Sequence, residues 1–190
     1  MSGHNKFSKI KHKKALTDAK KSKIFTKMSR LITQESKKAG GNTGSPGLKA
    51  VIDNARSFNM PNDSIERAVK KAMGSDSASM EAVTYESYGP GGVAIVIEAL
   101  TDNRNKAAQE VKFILSKHGS ALAAMGAASW AFEKTNDGWV PKTMVPLSPE
   151  DTVKLDTLVE ELEDNDEVQD VYTNIESTGS DSELKEEHAG

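Results

Sequence analysis

The 190-residue chain contains no cysteine. Disulfide frameworks, thiolate metal sites and cysteine nucleophiles are therefore excluded. Long apolar runs are missing as well. The longest, Gly91–Leu100, is about half the ~20 residues that a membrane-spanning helix needs, and Glu98 interrupts it. The first residues lack the apolar stretch of a secretory signal, and their Lys-dominated composition differs from the Arg- and Ser-rich pattern of an organelle transit peptide. The expected compartment is a reducing cytoplasm, with no membrane partner.

Aromatic residues make up only 5% of the chain, and residues 1–73 hold just three, Phe7, Phe25 and Phe58. Phe25 and Phe58 fit core-facing positions, so this stretch offers no platform for stacking bases. Arginine is equally sparse there, limited to Arg30, Arg56 and Arg67. Arginine is the usual two-pronged reader of guanine, whereas lysine acts as a point charge. Recognition of nucleic acid by this segment would thus rely on backbone and shape.

What is abundant is charge, and it is unevenly placed. Residues 1–73 carry 17 Lys+Arg against 5 Asp+Glu, and residues 74–190 carry 8 against 23, within an overall net charge of −3. Such a split points to a polyanion-binding module joined to an acidic one. The cations Lys6, Lys9, Lys11, Lys13, Lys14, Lys20, Lys21, Lys23, Lys27, Arg30 and Lys38 crowd the first 40 residues with His12, opposed only by Asp18 and Glu35. On a helix over residues 11–39 they would occupy most of the circumference outside the apolar stripe. Few acidic neighbours relieve their repulsion, and phosphates would do so. Lys70, Lys71 and Arg56 extend the candidate surface. Two blander readings stand beside this one: a merely solvated Lys-rich face, and a membrane-surface helix, the latter disfavoured by a narrow apolar face without Trp.

Hydrophobic spacing divides the chain. Residues 1–10 read as a basic arm. Ile24, Phe25, Met28, Leu31 and Ile32 mark one face of the long helix. Ser45-Pro46 starts a second helix and Asp63 with Glu66 starts a third in the manner of a capping box. Residues 1–73 thus form a basic helical domain. Residues 74–81 read as a linker. Residues 82–174 spell strand–helix–strand–strand–helix–strand from Val93 onward, with Val83–Tyr88 as an additional strand and Asn136-Asp137-Gly138 as a hairpin turn. The expected fold class is α+β: a three-helix domain followed by a ferredoxin-like βαββαβ domain. Residues 175–190 read as an acidic disordered tail, and residues 176–190 are expected to compete with nucleic acid for the basic bundle.

Two loops invite a functional reading. Tyr88-Gly89-Pro90-Gly91-Gly92 lacks the helix start and the Gly-Lys-Ser/Thr of a phosphate loop, so a tight turn is the simpler account. Asp102, Asn103, Arg104 and Asn105 open a helix, either as caps or as a contact loop. The four histidines have no metal spacing, Glu163–Asp170 lacks the EF-hand glycine, and no Gly-x-Ser-x-Gly elbow occurs. No catalytic residue, metal, cofactor or small-molecule substrate is expected, and monomer is the default state.

Several motifs together resemble the YebC/PmpR family. They are Met1–Phe7, Ile10–Lys14, Lys23–Lys27, Asn59-Met60-Pro61, Tyr85–Ala94, Leu100–Asn105 and the segment from Leu162 to Tyr172. The resemblance covers about residues 1–134 and 143–174. It implies a helical N-terminal domain, two α/β domains and no catalytic activity. It further implies a DNA-binding transcriptional regulator or, as in a mitochondrial relative, a translation factor acting at the ribosome. Tyr88–Gly92 and Asp102–Asn105 become candidate second contacts through this resemblance only. The pattern departs from the family where a further small α/β domain usually follows the strand around Trp130–Lys134. Here a hairpin stands in its place. The family's Gly-rich stretch is also altered, to Gly119–Ala124. The expected function is a nucleic-acid-binding regulator of gene expression, foremost a DNA-binding transcriptional regulator. The alternatives are a ribosome- or rRNA-binding translation factor and an interaction scaffold without nucleic acid.

Overall fold

A computed structural model describes residues 18–74 and 79–176. The arm, the segment 11–17, residues 75–78 of the linker and the tail beyond Glu176 lie outside the described residues, and with them Lys6, Lys9, Lys11, His12, Lys13 and Lys14.

Three helices come first: α1 (Asp18–Lys38), α2 (Pro46–Ser57) and α3 (Asn62–Met73). The α1 stripe is buried as its spacing predicts, through Ile24, Met28 and Ile32, against Leu48, Ile52 and Ala55 of α2 and Ile65 and Ala68 of α3. Each large apolar side chain buried here contributes roughly 1.5–3 kcal/mol. Two polar side chains of α1 join the packing: Thr33 Oγ1 donates to Ala68 O (3.2 Å) and Ser36 Oγ to Val69 O (3.1 Å). The start of α3 differs from the capping box. Ser64 N and Ile65 N already donate to Pro61 O, so the helix begins before Asp63. Asp63 then lies in the first turn, where its charge favours the helix dipole without capping. Ser45 holds the position before α2, but its side chain makes no cap bond.

The second unit is built on β1 (Glu81–Tyr88), β2 (Ala94–Thr101) and β5 (Val168–Thr173), in the order β1–β2–β5, all antiparallel. Helices α4 (Arg104–Lys117) and α5 (Pro149–Asp164) cover one face. There Ile95 and Ile97 of β2 meet Val111 and Leu115 of α4 and Leu155, Leu158 and Leu162 of α5. Both helices have side-chain caps: Asn103 Oδ1 accepts from Lys106 N (3.1 Å) and Ser148 Oγ from Asp151 N (3.1 Å).

The α+β class with leading helices agrees with the sequence pattern, but the strand arrangement departs from a ferredoxin-like sheet. Strands β3 (Phe132–Thr135) and β4 (Gly138–Pro141) form their own two-stranded sheet. The reason is edge occupancy. β1, read from sequence as additional, pairs with β2 along all eight residues, and β5 takes the other edge of β2. The hairpin instead covers the face opposite the helices. Phe132, Ala131 and Trp139 pack there on Ala94, Val96 and Tyr172. Trp130 and Ala131, at the start of the strand expected around Trp130–Lys134, belong instead to a turn of 3₁₀ helix, Ser129–Ala131. Past the expected boundary at 174, Ile175 still bridges Val145, and Glu176 N donates to Val145 O (2.9 Å).

Candidate nucleic-acid interface

The cations of α1 divide into two sets. Lys23, Lys27 and Arg30, spaced i, i+4, i+7, share one face, and that face meets the α/β unit. Lys23 Nζ lies 3.0 Å from Asp164 Oδ2. Lys27, 2% exposed, donates to Glu163 O (2.5 Å). Arg30 donates through Nη1 and Nη2 to Glu167 (3.1 and 3.0 Å) and through Nη1 to Leu100 O (3.2 Å). The expectation that Lys23, Lys27 and Arg30 face phosphates is corrected for Lys27 and Arg30. A lysine beside an apolar stripe reads as solvated, yet here the acidic end of α5 receives that face. Lys23 is half-exposed and shares the contact.

Glu167 is the centre of this junction. Its side chain is 1% exposed and also accepts from Lys106 Nζ (3.3 Å). Burial alone would raise its pKa, but the Thr101 hydroxyl, Arg30 and Lys106 outweigh this and hold the carboxyl below its usual range.

Lys20, Lys21, Lys38, Arg56, Lys70 and Lys71 are exposed on the helical domain. Several lie in short-range pairs: Lys21 with Asp18 (3.8 Å), Lys38 with Glu35 (2.6 Å), Arg56 with Asp53 (3.5 Å) and Lys70 with Glu66 (3.9 Å). Exposed pairs of this kind contribute about 0–1 kcal/mol and yield readily to a phosphate. Arg56 and Lys70 come together on a groove of about 550 Å³ between α2 and α3, floored by Ile52, Ile65 and Val69. Lys49 stands on the same rim and was absent from the sequence-derived set. Its i, i+7 spacing to Arg56 is the signal that would have found it.

The two candidate loops have structural tasks. Gly89 N donates to Val93 O (2.8 Å), closing the β1–β2 turn, and Gly91 adopts φ +64° against Leu147. A Cβ at Gly89 would approach Ile95 at 2.9 Å and Leu155 at 3.2 Å. In the second loop Asn103 caps α4, and Arg104 Nη1 donates to Glu81 Oε1 (3.0 Å) on the surface. Asp102, Asn105, Gly92 and Tyr88 are exposed, and Pro90 is half-buried. Among the described residues no cluster of three His, Asp or Glu is arranged to hold a metal, and no helix is long and apolar enough to cross a membrane.

The chain belongs to the TACO1/YebC family. The family's N-terminal domain matches residues 5–75, and its second and third domain matches residues 80–137 and 133–175. These last two segments meet at the β3–β4 turn, where the sequence pattern departs from the family. A probable transcriptional regulatory protein of Thermosipho melanesiensis is 42% identical over 97% of this chain and 78% of its own length. Another, from Fervidobacterium nodosum, is 45% identical over 88% of this chain and 68% of its own. The crystal structure of a conserved hypothetical protein from Aquifex aeolicus superposes with a TM-score of 0.79 at 30% identity, covering 88% of this chain and 95% of that one.

Proposed function

We propose that this chain is a non-enzymatic regulator of gene expression that binds nucleic acid through the exposed cations of its helical domain. The observation that carries the reading is that Lys49, Arg56 and Lys70 share one groove, where Asp53 and Glu66 are the acidic side chains, while Lys20, Lys21, Lys38 and Lys71 are exposed elsewhere on the same domain. Binding proceeds by phosphate contact and counterion release, without base readout from this domain. The acidic α/β unit holds the helical domain in place through Glu163, Asp164 and Glu167.

Duplex DNA is the target that the relatives' description as probable transcriptional regulatory proteins supports. Structured RNA at the ribosome is the second reading. One observation favours it: arginine is scarce in the helical domain, and Arg30, one of its three, is taken up at the junction with Glu167. The described helices thus present mainly lysines, point charges suited to phosphates, and few two-pronged guanine readers.

Ribosome co-sedimentation and duplex-DNA binding, both at physiological salt, separate these targets. Sequence-selective DNA binding without ribosome association supports the first. Ribosome association without it overturns the first and supports the second. Binding to neither overturns the proposal.

A further inference from the structure

Three consecutive residues of β1 clamp the loop between α4 and β3. Glu86, 5% exposed, accepts from the backbone N–H groups of Gly126 (2.7 Å), Ala128 (2.7 Å) and Ser129 (2.8 Å). Its carbonyl accepts from Ala123 N (2.8 Å). Ser87 Oγ donates to Ala121 O (2.9 Å). The Tyr88 hydroxyl donates to Ala127 O and accepts from Trp130 Nε1, the latter at 2.9 Å.

This clamp displays an aromatic pair at the surface. Trp130 is 58% exposed and Tyr88 38%. A lone exposed tryptophan would ordinarily reach water with its N–H. Here both polar atoms, Nε1 and the hydroxyl, are engaged internally, so the ring faces are what the pair offers a partner. Met125, in the same loop as Trp130, is 92% exposed. Lys142 N donates to Ala131 O (2.8 Å), which pairs the backbone of an exposed lysine with the residue that follows Trp130. The Glu86 carboxylate beneath is saturated by N–H groups and turned inward, so it does not oppose a phosphate there.

We infer that Trp130, oriented by Tyr88, is a stacking site for an unpaired nucleobase, with Lys142 beside it for the adjoining phosphate. Flat π faces with a neighbouring cation and no remaining donor or acceptor suit any base, independent of sequence. This rests on the nucleic-acid reading above and adds a contact on the α/β unit, distinct from the helical domain.

The test uses the full chain and three labelled probes: a 20-nucleotide single-stranded RNA, a single-stranded DNA of the same sequence and a blunt duplex. Trp130→Ala is expected to weaken both single strands by roughly 5- to 100-fold, the range of one lost stacking contact, and the duplex by less than about 2-fold. Trp130→Phe should retain most of the affinity. Tyr88→Phe, which removes the hydroxyl but not the ring, should give an intermediate loss. Tryptophan fluorescence should be quenched by the single strands in the native protein and not in Trp130→Phe, where only Trp139 remains. A greater loss for RNA than for DNA identifies RNA as the source of the base; equal losses identify the base alone. Unchanged single-strand affinity in Trp130→Ala, while Lys49→Gln/Arg56→Gln/Lys70→Gln loses it, overturns the stacking site and leaves the nucleic-acid reading intact. Failure of all three probes to bind the native protein overturns both.

Discussion

Arg30 and Glu167, 137 residues apart, form a two-point ion pair at 3.1 and 3.0 Å that joins the helical domain to the α/β unit. Removing one partner of a buried pair leaves the other uncompensated, at a cost of about 3–5 kcal/mol. Lys106 remains beside Glu167, so Arg30→Ala is expected at the lower end, about 3 kcal/mol in urea unfolding. Nucleic-acid affinity should stay within 2-fold. Lost affinity with unchanged stability would return Arg30 to the phosphate-contacting set.

Glu86 should govern the loop that follows α4. Burial pushes its pKa up, but the N–H groups of Gly126, Ala128 and Ser129 prevail and hold it below the usual carboxylate range. A depressed folded-state pKa contributes stability that is present above the unfolded value, near 4.3, and lost as pH falls through the folded value. Glu86→Gln offers one acceptor oxygen for three donors, so a loss of about 2–3 kcal/mol is expected. Amide hydrogen exchange should accelerate first at Gly126, Ala128 and Ser129. Uniform acceleration across the chain would contradict a local clamp.

Asp170 carries the opposite sign. Burial, and then Glu98 across the strand pair, raise its pKa to about 6 against the pull of Lys27, with Glu163 adding to the rise. Tyr172 faces the same group, and its own pKa is raised by burial, Asp170 and Glu98. A raised carboxyl favours the protonated folded state, so its ionisation withdraws stability as pH climbs from about 4 to 6. Asp170→Asn should therefore stabilise at pH 7.5, by about 2 kcal/mol, with the gain shrinking between pH 6 and 4. Thermal unfolding across that range reads it. A gain that persists at pH 4 would contradict the assignment.

Gly138 closes the β3–β4 turn at φ +117°, and a Cβ there would fall 2.8 Å from the Tyr172 ring. Gly138→Ala combines strain with a clash against a packed ring, so a loss above about 2 kcal/mol is expected. The hairpin should lift from the sheet. The fluorescence of Trp139, whose N–H donates to Glu98 (3.0 Å), reports that movement. An unaltered emission spectrum would show the hairpin still seated.

Periodicity carries the helical core: Ile24, Met28 and Ile32 are buried where their spacing puts them. The hairpin turn at Asn136-Asp137-Gly138 is equally legible, because its residue types demand it. The β1–β2 hairpin has a local signal too, the Gly-rich turn 89–92 between two strand-like runs; what lacks one is the separation of β3 and β4 into a sheet of their own. The same holds for Lys27 and Arg30. Their charge reads as surface, and only the α5–β5 corner, more than 130 residues away, turns them inward. Glu86 occupies a strand position where alternation permits either face, and Trp130 reads as an ordinary strand residue. Their pairing with the Gly126–Ser129 backbone and with Tyr88 exists only in three dimensions.

Phosphate binding by the exposed cations of the helical domain underlies the proposed function. It is tested by the dependence of nucleic-acid affinity on salt in Lys49→Gln/Arg56→Gln/Lys70→Gln and in Lys27→Gln. Each phosphate contact removed lowers the slope of log affinity against log salt by about 0.7–0.9. The triple variant should lose about 2–3 from the slope, and Lys27→Gln nothing. An unchanged slope in the triple variant would contradict the account.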